Sequence, residues 1–171
     1  MRFVGPVRKA LGIRTVFNIL GPLANPAEAD VELLGVYSEE LVEPMAHVLD
    51  KLGVKRALVV YGQDRLDEIS LSAPTTVMEV NQGTFTRYEL TPEQFSMKRC
   101  DKSELVGGDG AQNAQITESI LKGECTDAKA EAVILNAGAG IYLMGGADSI
   151  AAGIQLSLIH ISEPTRPEPI S

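Results

Sequence analysis

Two nearly continuous apolar runs stand out along the chain, VELLGVY at residues 31–37 and KRALVVY at residues 55–61, both rich in β-branched and aliphatic residues. Runs of that length without polar alternation suit strands covered on both faces. Between them Leu41, Met45, Val48, Leu49 and Leu52 recur at helical spacing. Ser38, Glu39 and Glu40 suit the start of that helix, and Gly53 after Lys51 suits its end. Pro44 fits only in the first turn, where its missing N–H breaks no bond. Residues 31–61 therefore predict a strand-helix-strand unit with parallel pairing and a right-handed crossover.

The pattern then changes. TTVMEV (75–80) and TFTRYEL (84–90) flank Asn81-Gln82-Gly83, which predicts a β-hairpin, and TPEQF (91–95) offers a capped helical turn. Residues 110–123 and 128–146 show helical periodicity, the second rich in small residues that let helices pack closely. A last helix is expected from near Asp148, ending at Leu156. Residues 1–26 predict short helices and turns, closed by Gly21-Pro22 and Asn25-Pro26, with no strand. With no internal repeat, the expectation is one α/β unit: a mixed sheet with a parallel strand-helix-strand unit and flanking helices.

Composition narrows the function classes. At 171 residues and 44% hydrophobic content the chain can bury one ordinary core, and a net charge of -8 disfavours nucleic-acid binding. Neither a secretory signal nor a membrane-length apolar stretch is visible, so a soluble cytoplasmic protein is expected. Cys100 and Cys125 lack metal-ligand spacing and are expected to be reduced thiols. LSLIHISEPTR (156–166) resembles the in-frame translation of a sequencing-library adapter. Residues 156–171 are therefore expected to be read-through outside the fold, leaving 1–155 as a partial α/β domain and removing His160 from any catalytic role. His47 is expected to be structural.

Chemistry concentrates in YGQDRLDEIS (61–70), where Asp67 stands beside Glu68 a few residues past the second apolar run. In open parallel sheets, ligands sit beyond the carboxyl ends of the strands. Two carboxylates side by side repel, so a positive partner is expected, and Mg²⁺ is suited because it takes oxygen ligands from one or two carboxylates. An ordinary solvated ion pair with Arg65 is the alternative, and spacing alone favours that pair, since structural ion pairs are common. Gly138-Ala139-Gly140 follows no predicted strand, so helix packing is expected there rather than a dinucleotide site.

Five segments in order, GPVRKALGIRTVFNILGPLANP (5–26), RLDEISLSAPT (65–75), TPEQF, GGDGAQNAQI (107–116) and LNAGAGIYLMGGADSIAAGIQ (135–155), resemble the anthranilate phosphoribosyltransferases. The resemblance covers essentially all of residues 1–155, and its first segment is long and specific. It implies most of the larger domain of a fold shared by nucleoside phosphorylases and such transferases. It also implies transfer of the phosphoribosyl group of phosphoribosyl pyrophosphate (PRPP) to anthranilate in tryptophan biosynthesis. By the same resemblance Asp67 and Glu68 bind Mg²⁺ on the pyrophosphate, and Arg8 binds the anthranilate carboxylate, with Arg14 a weaker alternative. A homodimer is implied for the intact enzyme. The family's glycine-rich PRPP loop and Lys-His-Gly-Asn segment belong to an upstream half not seen here, so this chain alone is expected to be inactive. GGDG (107–110) matches a downstream part of the family and is not that loop. Arg65 stands where the family usually has glycine, on the backbone path into the acidic pair. The rivals are a nucleoside phosphorylase of related fold and a non-catalytic binding module.

Overall fold

Strands β1 (Val31–Gly35) and β2 (Arg56–Gly62) pair in parallel, with helix α1 (Val42–Lys51) crossing between them. The computed structural model describes residues 21, 23, 24 and 29–162. A short 3₁₀ turn, Glu39–Leu41, leads into α1, and Pro44 falls in the first turn, as its missing N–H requires. Strands β3 (Thr75–Asn81) and β4 (Thr84–Leu90) follow as an antiparallel hairpin, and the mixed sheet runs β1-β2-β3-β4. The hairpin loop is Gln82-Gly83, with φ of 49° and 81°, the left-handed pair that matches the twist of the flanking strands. Asn81 pairs with Thr84 and so belongs to the ladder rather than the turn.

TPEQF forms the expected turn: a 3₁₀ helix, Pro92–Phe95, whose Thr91 and Gln94 close a capping box. Helices α2 (Gly110–Leu121), α3 (Ala128–Leu143) and α4 (Ile150–Ser162) complete the described chain. Asp109 and Asp127 cap α2 and α3 by accepting from backbone N–H groups of their first turns.

The sheet is buried on both faces, and alternation along β2 divides the core. Ala57 and Val59 pack with Leu34, Met45 and Leu49 under α1. Leu58 and Val60 pack with Leu135, Leu143 and Ile154 under α3 and α4. Each such side chain taken fully out of water contributes about 1.5–3 kcal/mol. Strand β1 departs from expectation. Only Leu34 in it is buried, because among the described residues it is an edge strand. On the other side of the sheet, Tyr88 and Tyr142 both donate to Glu79, at 2.9 and 2.7 Å, tying α3 to the hairpin. Burial, then the Glu79 charge, pushes the Tyr88 hydroxyl well above the ordinary phenol range.

One boundary is corrected. The last helix does not stop at Leu156 but continues to Ser162, with Ser157 buried. The physical reason is local: residues 156–162 hold no glycine or proline, and the first breaker is Pro164. The expected helices and turns of residues 1–26 lie almost wholly outside the described residues. Among the described residues no helix is long and apolar enough to cross a membrane.

Candidate functional site

After β2 ends at Gly62, residues 63–74 fold back over the carboxyl end of β1 before β3 begins at Thr75. Both parallel strands aim their carboxyl ends at this loop, the place where sheets of this kind receive ligands. The loop is closed by backbone bonds. Gly62 N–H donates to Leu66 O at 2.8 Å, and Gln63 N–H donates to Pro74 O at 2.9 Å.

Asp64 fastens the loop from inside. Its Oδ2 accepts from Ser70 Oγ at 3.1 Å and from Ser72 Oγ, while Lys102 Nζ donates to its carbonyl. Ser70 Oγ in turn accepts from the N–H groups of Ser72 and Ala73, at 3.0 and 3.1 Å. Asn136 fastens it from outside. From the middle of α3, its Oδ1 accepts from Ile69 N–H and its Nδ2 donates to Ile69 O, both at 3.0 Å. Sequence reasoning named neither Asp64 nor Asn136. The available signal was a lone amide inside the apolar stretch of α3, since a polar group at such a position must find a partner.

Asp67 and Glu68 lie between these two anchors, exposed at a bend. Among the described residues neither carboxylate accepts a hydrogen bond, and neither pairs with Arg65 or another cation. The ion pair considered as an alternative is thus not formed. The Asp67 main chain rests against Gly35 at the end of β1, and Glu68 borders a cleft of about 290 Å³ that also includes Leu66, Ile116 and Lys129. Arg8 and Arg14 lie outside the described residues.

Arg65 holds φ at +72°, in the left-handed region. A side chain there carries a cost of about 1 kcal/mol that glycine avoids. The position at which the family usually has glycine is therefore one whose backbone favours it. Arg65→Gly is expected to raise stability by about 1 kcal/mol, read as a higher midpoint in thermal unfolding.

The other candidates resolve as follows. The backbone N–H groups of Gly108 and Asp109 donate to Asn113 Oδ1 and Gln112 Oε1, so these two donors of the GGDG segment are spent on the start of α2 rather than on an anion. Gly138 meets α4 at the helix crossing, in keeping with a packing role. His47 is exposed and its ring lies 4.2 Å, centroid to centroid, from that of Phe85. Cys100 and Cys125 are free, and burial followed by the Glu104 charge pushes the Cys100 thiol up, away from the reactive thiolate.

The donor set would suit a hard cation that takes oxygen ligands. Among the described residues no cluster of three or more His, Cys, Asp or Glu side chains could hold a metal. A pair of carboxylates without further protein ligands suits Mg²⁺, which keeps several waters and completes its octahedron with phosphate oxygens.

The chain is similar to known proteins of one family. Residues 1–163 match the family model described as glycosyl transferase family, a/b domain. The anthranilate phosphoribosyltransferase of Methanobrevibacter smithii is 55% identical over 157 residues, covering 92% of this chain and 47% of that protein. The crystal structure of the anthranilate phosphoribosyltransferase from Thermus thermophilus superposes with a TM-score of 0.85 at 46% identity, over 95% of this chain and 47% of that one. The Saccharomyces cerevisiae enzyme in complex with PRPP and Mg superposes at 0.82 with 29% identity, over 92% of this chain and 46% of that one. The chain thus spans less than half the length of these relatives.

Proposed function

The chain belongs to the glycosyl transferase family through its a/b domain, and from that membership we propose that it is the magnesium-binding portion of an anthranilate phosphoribosyltransferase. The observation that carries this proposal is the acidic pair: adjacent, exposed carboxylates, unpartnered among the described residues, on a loop clamped at both ends. Like charges held together in a fixed loop call for a cation.

Asp67 and Glu68 would hold Mg²⁺ together with water and oxygens of the PRPP diphosphate. When bound, the ion supplies positive charge that offsets the charge gathering on the departing diphosphate. The chain's own contribution is orientation. Asp64 and Asn136 fix the backbone on either side of the pair, so the carboxylates are already in place when substrate arrives. Arg8 is proposed to grip the anthranilate carboxylate with its planar fork, a contact lysine cannot reproduce. Held there, the anthranilate amine attacks C1 of the ribose, the bond from C1 to the diphosphate breaks, and the amine loses a proton. The products are phosphoribosyl-anthranilate and pyrophosphate.

Turnover is proposed for the longer protein, as a cytoplasmic homodimer in tryptophan biosynthesis, and binding alone for these 171 residues. Isothermal titration of the chain with pyrophosphate tests the proposal. Binding heat is expected with Mg²⁺ present and should vanish when EDTA removes it. Phosphate binding without metal would instead point to a nucleoside phosphorylase, and no binding under either condition to a non-catalytic module.

A further inference from the structure

We propose that Gly35 is a positioning residue for the acidic pair: the missing side chain at the end of β1 forms the seat for the Asp67 main chain and so sets where the two carboxylates meet their cation. The inference rests on the magnesium reading given above.

A Cβ placed on Gly35 would lie 1.6 Å from the Asp67 carbonyl oxygen, 2.3 Å from its carbonyl carbon and 3.1 Å from its Cα. All three are backbone atoms, so no rotamer change relieves the overlap. Glycine is not needed here for its conformational freedom. Gly35 is a regular strand residue opposite Val60 in the parallel ladder, and it is absent from the glycines with positive φ. What the position requires is the close approach of a second backbone, a known use of glycine inside a strand.

The rest of the loop cannot follow Asp67 if it is pushed away. Asp64 is tied to Ser70 and Ser72 on one side of the pair, and Ile69 is tied to Asn136 on the other. An added methyl group would therefore shift Asp67 against fixed flanks and change its placement relative to Glu68. Ligand groups must hold their geometry to within about 0.5 Å for full effect. A contact that served only folding would lower stability and leave the affinity of the folded chain for metal unchanged.

The test uses Mn²⁺ as the probe, its free concentration followed by electron paramagnetic resonance, with the folded fraction measured by circular dichroism on the same samples. Gly35→Ala is expected to weaken Mn²⁺ binding at least tenfold per folded molecule. The same substitution is also made in an Arg65→Gly background, which adds stability without touching the bonds of Asp64 and Asn136; a tenfold loss relative to Arg65→Gly alone is expected. Affinity within twofold of the matching parent overturns the proposal, and so does failure to fold in both backgrounds, which would assign the contact to global stability. Where the unsubstituted chain needs pyrophosphate to take up Mn²⁺, the comparison is made with pyrophosphate present; if it takes up Mn²⁺ in neither condition, the magnesium reading itself fails and this proposal with it. Binding that survives Gly35→Ala unchanged overturns the proposal alone.

Discussion

Alanine in place of Gly138 is expected to destabilise the chain by about 2–3 kcal/mol, whereas alanine at Gly140, in the same turn of α3, is expected to stabilise it by about 0.5–1 kcal/mol. The contrast comes from what each new methyl group would meet. At Gly138 a Cβ would stand 2.6 Å from both the Ile154 backbone nitrogen and its Cγ1, and on the facing helix a Cβ on Gly153 would stand 2.2 Å from the Gly138 carbonyl oxygen. The two helices touch backbone to backbone here, and the buried Ile154 lies beside the crossing. A methyl group can enter only if α4 moves off α3, which opens the core shared by Leu135, Leu143 and Leu58. At Gly140 none of the described residues lies within 4 Å of the new Cβ, so alanine gains helix propensity without a clash. Thermal unfolding should separate the two variants by roughly 5–15 °C. Equal midpoints would mean that the crossing is looser than described.

Asn136→Ala is expected to cost about 3 kcal/mol. Its amide is the partner of both the N–H and the carbonyl of Ile69, a residue only 2% exposed, so alanine strands a buried donor and a buried acceptor together. Helix α3 itself should persist, since only the side chain's additional bond to Ala132 O is lost from within it. The damage should therefore show locally. Hydrogen exchange at the Ile69 amide is expected to accelerate toward that of an open loop while exchange in the body of α3 stays slow. Uniform acceleration throughout the core would instead show that Asn136 supports global folding rather than this loop.

Much of the architecture could be read from local pattern because the pattern has local causes. The apolar runs gave β1 and β2, the spacing of Leu41 to Leu52 gave α1, and Gln82-Gly83 gave the hairpin, since each signal lies inside the element it specifies. The end of α4 was misjudged for the complementary reason. Apolar Leu156, Leu158 and Ile159 continue a helix wherever no breaker intervenes, whatever their origin. Half of the proposed site was legible in the same way: Asp67 and Glu68 announce themselves as neighbouring like charges past a strand. The residues that hold the pair did not, because Gly35 and Asn136 reach it from distant parts of the chain. Each still left a trace. Gly35 interrupts a run of strand formers, and Asn136 interrupts an apolar helix; both interruptions are the kind that tertiary contacts explain.

The central claim is that Asp67 and Glu68 together carry a magnesium ion to a diphosphate. Its most direct measurement is the calorimetric titration of magnesium pyrophosphate into the chain bearing Asp67→Asn with Glu68→Gln, exchanges that preserve shape and remove both charges. The expected result is loss of the binding heat with the helical signal and thermal midpoint unchanged. Binding that persists with both carboxylates gone would contradict the account.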